Sequence, residues 1–541
     1  MLEKEFNLLN EPWIMVMKEG GETQEVSILE LFRKAPEHRS LAGELPTQDV
    51  AILRLLLAVL HAVFGRYDIN GNFAPLASPY AALERWKALW DKGSFPMEII
   101  EKYLLHFEDR FYLFHPEHPF YQVAGIEKAT SYTAAKLNGE LSESNNKSRL
   151  FPQRAGSQKL ALQYSEAARW LIYINAFDDT AAKPTQKGLP SPGAGWLGKL
   201  GLITAVGKNL FETLTLNLVF LKNGGDELWG EEAPVWESEK VKSEERREIT
   251  IPDNPSALLT LQSRRLCLKR HEDKVVGCEL LGGDFFPKEN ALMEQMTLWR
   301  NASKKKTGPP EYNPKRHDPS RQLWRDFSVL TGQSEGNRTP GIISWLARLK
   351  GEQLISRTHF HFMTAAVKYG DKDFFADDVF SDSITFSGEL LTDLGESWVN
   401  RIIGEIETTD RLVDQVGQLA RNLVKASGNA EINGPRNAAK EQAYYRINQP
   451  FRRWLASIDP HKDDDKKDEL CSQWWEQAKG IIQDLGKEMV NKSGPQAFAG
   501  RVEKDERTGK EYRYTAPEAY NRFLYQTSNR ETLNRLYKKE D

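Results

Sequence analysis

Apolar residues change their spacing along the chain, and each change marks an element. Residues 13–17, Trp-Ile-Met-Val-Met, form a strand-like run, and Glu19-Gly-Gly21 supplies the turn after it. The longest apolar stretch, 50–64, is interrupted only by Arg54 and His61. It falls short of the roughly 20 residues a bilayer span needs, so a buried helix is expected. Thr47 is the expected N-cap. Residues 80–105 show helical spacing, with Leu83, Trp86, Leu89 and Trp90 on one face. Further helices are expected over 165–175 and 340–350. Residues 259–262 and 265–269 alternate as strands do, and Val275-Val276 after His271-Glu-Asp predicts a hairpin.

Beyond residue 385 the period becomes helical. Leu391, Leu394, Trp398, Ile402, Ile406, Val413, Val416, Ala420 and Leu423 predict one helix of roughly forty residues, ended at Asn433-Gly-Pro435. A second carries Tyr444, Ile447, Phe451 and Leu455, with Pro450 as a kink or stop. A third carries Leu470, Trp474, Ala478, Ile481, Leu485 and Met489. A fourth begins at Thr515, a fitting N-cap, and runs through Leu524 and Leu533. Four amphipathic helices bury their stripes by packing on one another. The expected fold class is α+β: a mixed α/β N-terminal domain of unusual topology over 1–380, then an all-α four-helix bundle over 385–541.

Two stretches lose any period. Residues 136–160 are rich in Asn, Ser, Gly, Lys and Arg, and 181–201 carry Pro184, Gly188, Pro190, Pro192, Gly193, Gly195, Gly198 and Gly201. Irregular segments of this length inside a domain are often functional.

Composition narrows what they can do. The 541 residues are 28% charged and 10% aromatic, which excludes a wholly disordered chain. A net charge of -4 excludes a molecule basic all over, so any phosphate-binding surface must be a local patch. Cys267, Cys278 and Cys471 are odd in number and far apart, which points to a reducing, cytoplasmic setting without disulfides. No signal-peptide pattern opens the chain, and no membrane partner is expected.

Three basic clusters stand on this mildly acidic background. Lys136, Lys147, Arg149, Arg154 and Lys159 face only Glu140 and Glu143 within the first irregular stretch. There Asn145, Asn146 and Gln153 offer donors and acceptors to base edges, and Phe151 offers a ring to stack or wedge. The second stretch has no acid and carries Lys183, Lys187 and Lys199, with glycine N–H groups suited to phosphate. The third cluster is Lys304, Lys305, Lys306, Lys315, Arg316 and Arg321. The second alone reads equally as an ordinary Gly/Pro connection, and the first and third alone read more readily as solvated surface; three together raise the odds of polyanion binding. His115-Pro-Glu-His118-Pro offers metal ligands, but Pro116 and Pro119 forbid a regular helix, so a packed turn is expected. His359 and His361 share a strand face with no nucleophile in sight, and a structural role is expected.

Taken together, Phe6-Asn-Leu-Leu-Asn-Glu-Pro-Trp-Ile14, Phe111-Tyr-Leu-Phe-His-Pro-Glu-His-Pro-Phe120, Gly195-Trp-Leu-Gly198 and Leu261-Gln-Ser-Arg-Arg265 resemble CasA, the large-subunit family of the type I-E CRISPR Cascade complex. The resemblance covers the whole chain. It implies a non-catalytic subunit that reads the protospacer-adjacent motif of double-stranded target DNA, largely from the minor groove, and promotes opening of the duplex. It implies as partners crRNA, other Cascade subunits and a separate helicase-nuclease, with no cofactor. Protein then reads a short motif while base pairing reads the rest.

By position, the family's loop at the motif and crRNA end falls on Asn145, Asn146, Lys147, Arg149, Phe151 and Gln153. Its glycine-rich loop falls on Lys183, Lys187, Gly188, Gly193 and Gly195, and Lys288 is nearest to its minor-groove lysine. Its wedge hairpin falls just after Lys368-Tyr-Gly370. The family's glutamine is absent there, and Asp371, Lys372, Asp373 and Phe374 stand in its place, so Lys372 or Phe374 is the expected wedge. Some relatives carry paired cysteines that fit zinc; here that stretch has only Cys267 and Cys278, and no metal is expected. The rival readings are a metal-dependent nuclease or hydrolase built on His115, Glu117 and His118, and a purely structural scaffold.

Overall fold

The apolar run after Leu45 forms the helix Pro46–Phe64, and the N-terminal unit is assembled on it. The computed structural model describes residues 4–137, 160–180, 188–239, 243–302, 311–333, 338–429, 431–462, 464–504 and 511–537, together with Arg154, Gly156 and Gly509. Residues 145–147, 149, 151, 153, 183 and 187, among the expected contacts, lie outside them. The chain is α+β and divides into two units. One comprises Met1–Leu323, Val329–Ser356 and Phe360–Ser383; the other comprises Trp324–Ser328, Arg357–His359 and Ile384–Asp541.

Leu45, not Thr47, occupies the N-cap of Pro46–Phe64. Pro46 takes the first helical position, where its missing N–H is no loss, and this shifts the helix start ahead of Thr47. The helix is buried nearly throughout and packs on the helices Tyr164–Phe177 and Pro255–Leu259. Burying Arg54 at its centre requires a partner. Its guanidinium grips the Glu294 carboxylate bidentately at 2.6 and 3.0 Å, with both side chains 1% exposed.

Three small antiparallel sheets surround this helical layer. Strand Ile14–Lys18 lies between Thr23–Val26 and His38–Leu41, with Ile14 opposite Val26 and Val16 opposite Leu41. Strands Arg264–His271 and Lys274–Gly282 form the expected hairpin, Leu268 opposite Cys278, and Thr130–Thr133 adds a third strand. Strand His359–Tyr369 lies between Ala376–Ser387 and Thr204–Val206. A two-stranded ribbon, Trp299–Asn301 with Tyr312–Pro314, joins residue 201 through Leu298 N–H to the Gly201 carbonyl at 2.8 Å.

Some expected boundaries move. Residues 80–105 are two helices, Pro79–Lys92 and Met97–His106, because Gly93 at φ 67° ends the first. Residues 259–262 are no strand: Asn254 caps the helix Pro255–Leu259, and the Thr260 hydroxyl donates to the Ser256 carbonyl at 2.7 Å. Capping thus overrides the alternation.

In the C-terminal unit the long helix is Glu396–Ser427, ending on Gly428 at φ 87°. Leu391 and Leu394 lie before it in short 3-10 turns, so the stripe outruns the helix. Asn433-Gly-Pro435 begins the next helix, Asn433–Ala456, which continues through Pro450. The helices Asp464–Asn491 and Ala516–Gln526 also pack on the long helix. Thr515 caps the latter as expected, and the segment bearing Leu533 is a separate short helix, Arg530–Arg535. Phe451 is the hub of this unit, 4.2 Å from Trp324 and 5.0 Å from Trp474 between ring centroids.

Substituting Arg54→Met leaves the Glu294 charge buried without its partner. A loss of about 3–5 kcal/mol in the N-terminal unit is expected, read as a lower urea midpoint by tryptophan fluorescence.

Candidate nucleic-acid interface

The site begins with a buried ionic knot where the helix Tyr164–Phe177 ends. Asp178 and Asp179 are 0% and 2% exposed. The Lys136 ammonium stands 2.8 Å from an Asp178 oxygen and 3.1 Å from an Asp179 oxygen. Arg264 donates from Nε to Asp178, and from Nη2 to the carbonyls of Asp178, Asp179 and Gly193. Burial pulls the Lys136 pKa down, but the two aspartates outweigh it and hold the pKa above its ordinary value. Lys136 therefore does not belong to the exposed charge of the first basic cluster: it is 3% exposed, its charge spent inside. Arg154 of the same cluster pairs with Glu166 at 3.0 Å.

This knot shapes the glycine-bearing segment 188–201. Gly195 N–H donates to the Asp178 carbonyl at 2.8 Å. A Cβ at Gly195 would come within 2.3 Å of the Ala176 carbonyl oxygen, so only glycine allows the approach. Arg246 donates to the Pro190 carbonyl at 2.9 Å, and Ser263 Oγ accepts the Trp196 N–H. The Trp196 indole donates to Glu294, the partner of Arg54, at 3.2 Å. The Gly195-Trp-Leu-Gly198 motif is thus pinned to three elements at once.

Beside this segment opens a cleft of about 800 Å³, floored by Trp196, Phe285 and Phe286 and rimmed by Lys199, Arg300, Lys315 and Arg316. No carboxylate lines it among the described residues. Lys199 Nζ lies against Gly193, where an added Cβ would stand 3.1 Å away. Burial, then the Arg264 and Arg316 guanidiniums, push the Lys199 pKa down to about 8, against the opposing pull of Asp373. The 3-10 helix Lys288–Met293 carries Ala291 into the lining, which places Lys288 on an element of this cleft.

The hairpin turn after Gly370 reaches the same place. Lys372 and Asp373 both adopt left-handed backbone, φ 52° and 59°, and the Asp373 and Lys372 carbonyls accept from Thr180 N and Oγ1 at 2.9 and 3.1 Å. The Asp373 carboxylate receives Arg316 bidentately at 2.8 and 3.0 Å. Lys372 and Phe374 remain exposed at the tip. Of the expected residues, Gly193 thus abuts Lys199 and Asp373 holds Arg316, both on the cleft, and Lys288 lies on an element that lines it; Arg300 and Lys315 complete the basic rim. Arg300 was not legible as a contact, because a lone arginine on a strand carries no signal.

The other histidine motifs fall elsewhere. His115 Nδ1 accepts the backbone N–H groups of Glu117 and His118 at 3.1 and 2.8 Å, and its Nε2 lies 3.2 Å from Asp109. Nδ1 is thereby held within a packed turn. His359 Nε2 lies 3.1 Å from the Ala456 carbonyl oxygen. Cys267 and Cys278, in adjacent register, point to opposite faces of their sheet. Among the described residues no group of three or more His, Cys, Asp or Glu could hold a metal ion.

Comparison with known proteins agrees with this architecture. The family model for CRISPR-associated protein Cse1 matches residues 7–485. A CRISPR-associated protein CasA/Cse1 of Thermus thermophilus is 37% identical over 236 residues, spanning 44% of this chain and 42% of that relative. The crystal structure of Thermobifida fusca Cse1 superposes with a TM-score of 0.82 at 31% identity, covering 98% of both chains. A chain of a structure named "CRISPR RNA-guided surveillance complex" shares the fold at 16% identity, with a TM-score of 0.69 over 97% of this chain and 100% of that one.

A lysine is charged below its pKa, so the Lys199 cation is full at pH 6 to 7 and lost as pH rises through about 8. Competitive acetylation followed by peptide mass spectrometry should give Lys199 a reactivity midpoint near 8.

Proposed function

The chain belongs to the CRISPR-associated Cse1 family, and from that premise we propose that it is the subunit of a crRNA-guided surveillance complex that reads the protospacer-adjacent motif in double-stranded DNA. It does so through minor-groove and phosphate contacts, promotes opening of the duplex and R-loop formation, and recruits a separate helicase-nuclease. It performs no covalent step of its own. The observation that carries this reading is the approach of the glycine segment, the Lys288 helix and the Lys372 turn to one basic cleft that no carboxylate lines among the described residues.

Backbone in the glycine segment lies close to the surface without a Cβ to hold a duplex away. Minor-groove edges present few distinguishing groups, so a reader of this kind tolerates several related motifs. The turn tip offers Lys372 to phosphate and Phe374 as an apolar wedge between base steps. Asp373 serves this surface indirectly, by holding Arg316 in place. Asn145, Asn146, Lys147, Arg149, Phe151 and Gln153 of the stretch 136–160, with Lys147 and Arg149 foremost, supply further contacts to the motif region and the crRNA end. Occupation of His115 Nδ1 by the N–H groups of its own turn disfavours the hydrolase alternative.

In the assembled complex, Lys372→Glu and the pair Lys147→Glu with Arg149→Glu should each weaken binding to motif-bearing duplex. The slope of log affinity against log salt should fall by about 1 for each phosphate that is no longer neutralised. Affinity and slope unchanged across the salt series would remove these residues from the interface.

A further inference from the structure

We propose that the cleft between Trp196 and Arg316 is a pocket for a single unstacked nucleotide of the parted DNA, its base on Phe285 and its phosphate between Lys199 and Arg300. The proposal rests on the duplex-opening reading above and names where one displaced nucleotide goes.

The physical case has three parts. The first is shape and chemistry. A cleft of about 800 Å³ is wide enough for a nucleotide, and its floor is aromatic. Phe285 is half-buried and offers the accessible ring, while Trp196 packs edge-on against Phe286 behind it at 4.3 Å. Flat rings beside cations are the usual equipment for holding an unpaired base with its backbone.

The second part is charge. Most interior cations of this unit are committed: Arg54 to Glu294, Arg169 to Glu25 and Glu44, Arg264 to Asp178. Lys199 and Arg300 have no ion-pair or hydrogen-bond partner for their side chains among the described residues. A half-buried lysine left unpaired beside two guanidiniums is held at a cost, and an anion seated against it removes that cost.

The third part is position. Arg316 joins the cleft to the turn that carries Lys372 and Phe374, through its bidentate contact with Asp373. A base unstacked at that tip has the cleft beside it. Unstacking is costly, and enzymes and binders that extrude a base recover the cost in an aromatic pocket.

The test uses the assembled guide-RNA complex containing the full chain. Motif-bearing duplexes carry 5-iodouracil at one position at a time on either strand, and a parallel set carries it in the guide RNA. After irradiation, cross-linked peptides are sequenced by mass spectrometry. Cross-linking to Phe285 or Trp196 from one DNA position beside the motif is expected. The double variant Lys199→Met with Arg300→Met should lower that yield about tenfold relative to cross-links at neighbouring positions, because the cations that hold the phosphate are gone. Cross-links confined to residues 188–195 and 372–374 on bound duplex would overturn the pocket while leaving the duplex reading intact. Cross-links to the floor from guide RNA alone would overturn its assignment to DNA. Failure of the wild-type complex to bind motif-bearing duplex at all would overturn the functional reading, and this proposal with it.

Discussion

A pair of aspartates buried at the end of one helix governs the candidate interface. Asp178 and Asp179 cannot remain ionised in a nearly dry interior unless cations reach them, and Lys136 and Arg264 do so from other parts of the chain. Four segments distant in sequence are thereby tied together: the helix Tyr164–Phe177, the 3-10 turn holding Lys136, the strand holding Arg264, and the glycine segment through the Gly193 carbonyl. The arrangement has little slack, because removing any partner strands a buried charge.

Around that knot the molecule sorts its positive charge. A chain of net charge -4 offers no general attraction to nucleic acid. Among its interior cations, Arg54, Lys136, Arg169 and Arg264 are matched by carboxylates, so their fields close within the protein. Lys199 and Arg300 are left over, on a cleft that no described carboxylate lines. Field lines from such a site run outward into solvent, where salt screens them over about 8–10 Å. The local excess therefore acts at contact range.

The turn after Gly370 shows how composition can mislead at such a surface. Two aspartates within four residues look hostile to phosphate. Asp373 is instead occupied by Arg316, and its backbone by Thr180, which braces the left-handed turn and leaves Lys372 and Phe374 outermost. The acid acts as a brace, and the charge shown to solvent at the tip includes that of Lys372.

Local patterns alone carried the α+β class, the strand at Ile14–Lys18, the hairpin around Glu272, the helices Pro46–Phe64 and Asp464–Asn491, and the capping role of Thr515. Those features depend on periodicity and on hydrogen bonds between near neighbours, both of which are written in consecutive residues. The motifs also carried the family. What they could not carry was which charges are spent. Lys136 and Lys199 look alike in the sequence; one is neutralised by two aspartates more than forty positions away, and the other is left unpaired against Gly193. Arg300 gains meaning only because a ribbon paired through Leu298 sets it across a cleft from Lys199. Pairing between distant charges and enclosure from solvent are properties of three-dimensional neighbours, so tertiary structure alone decided them.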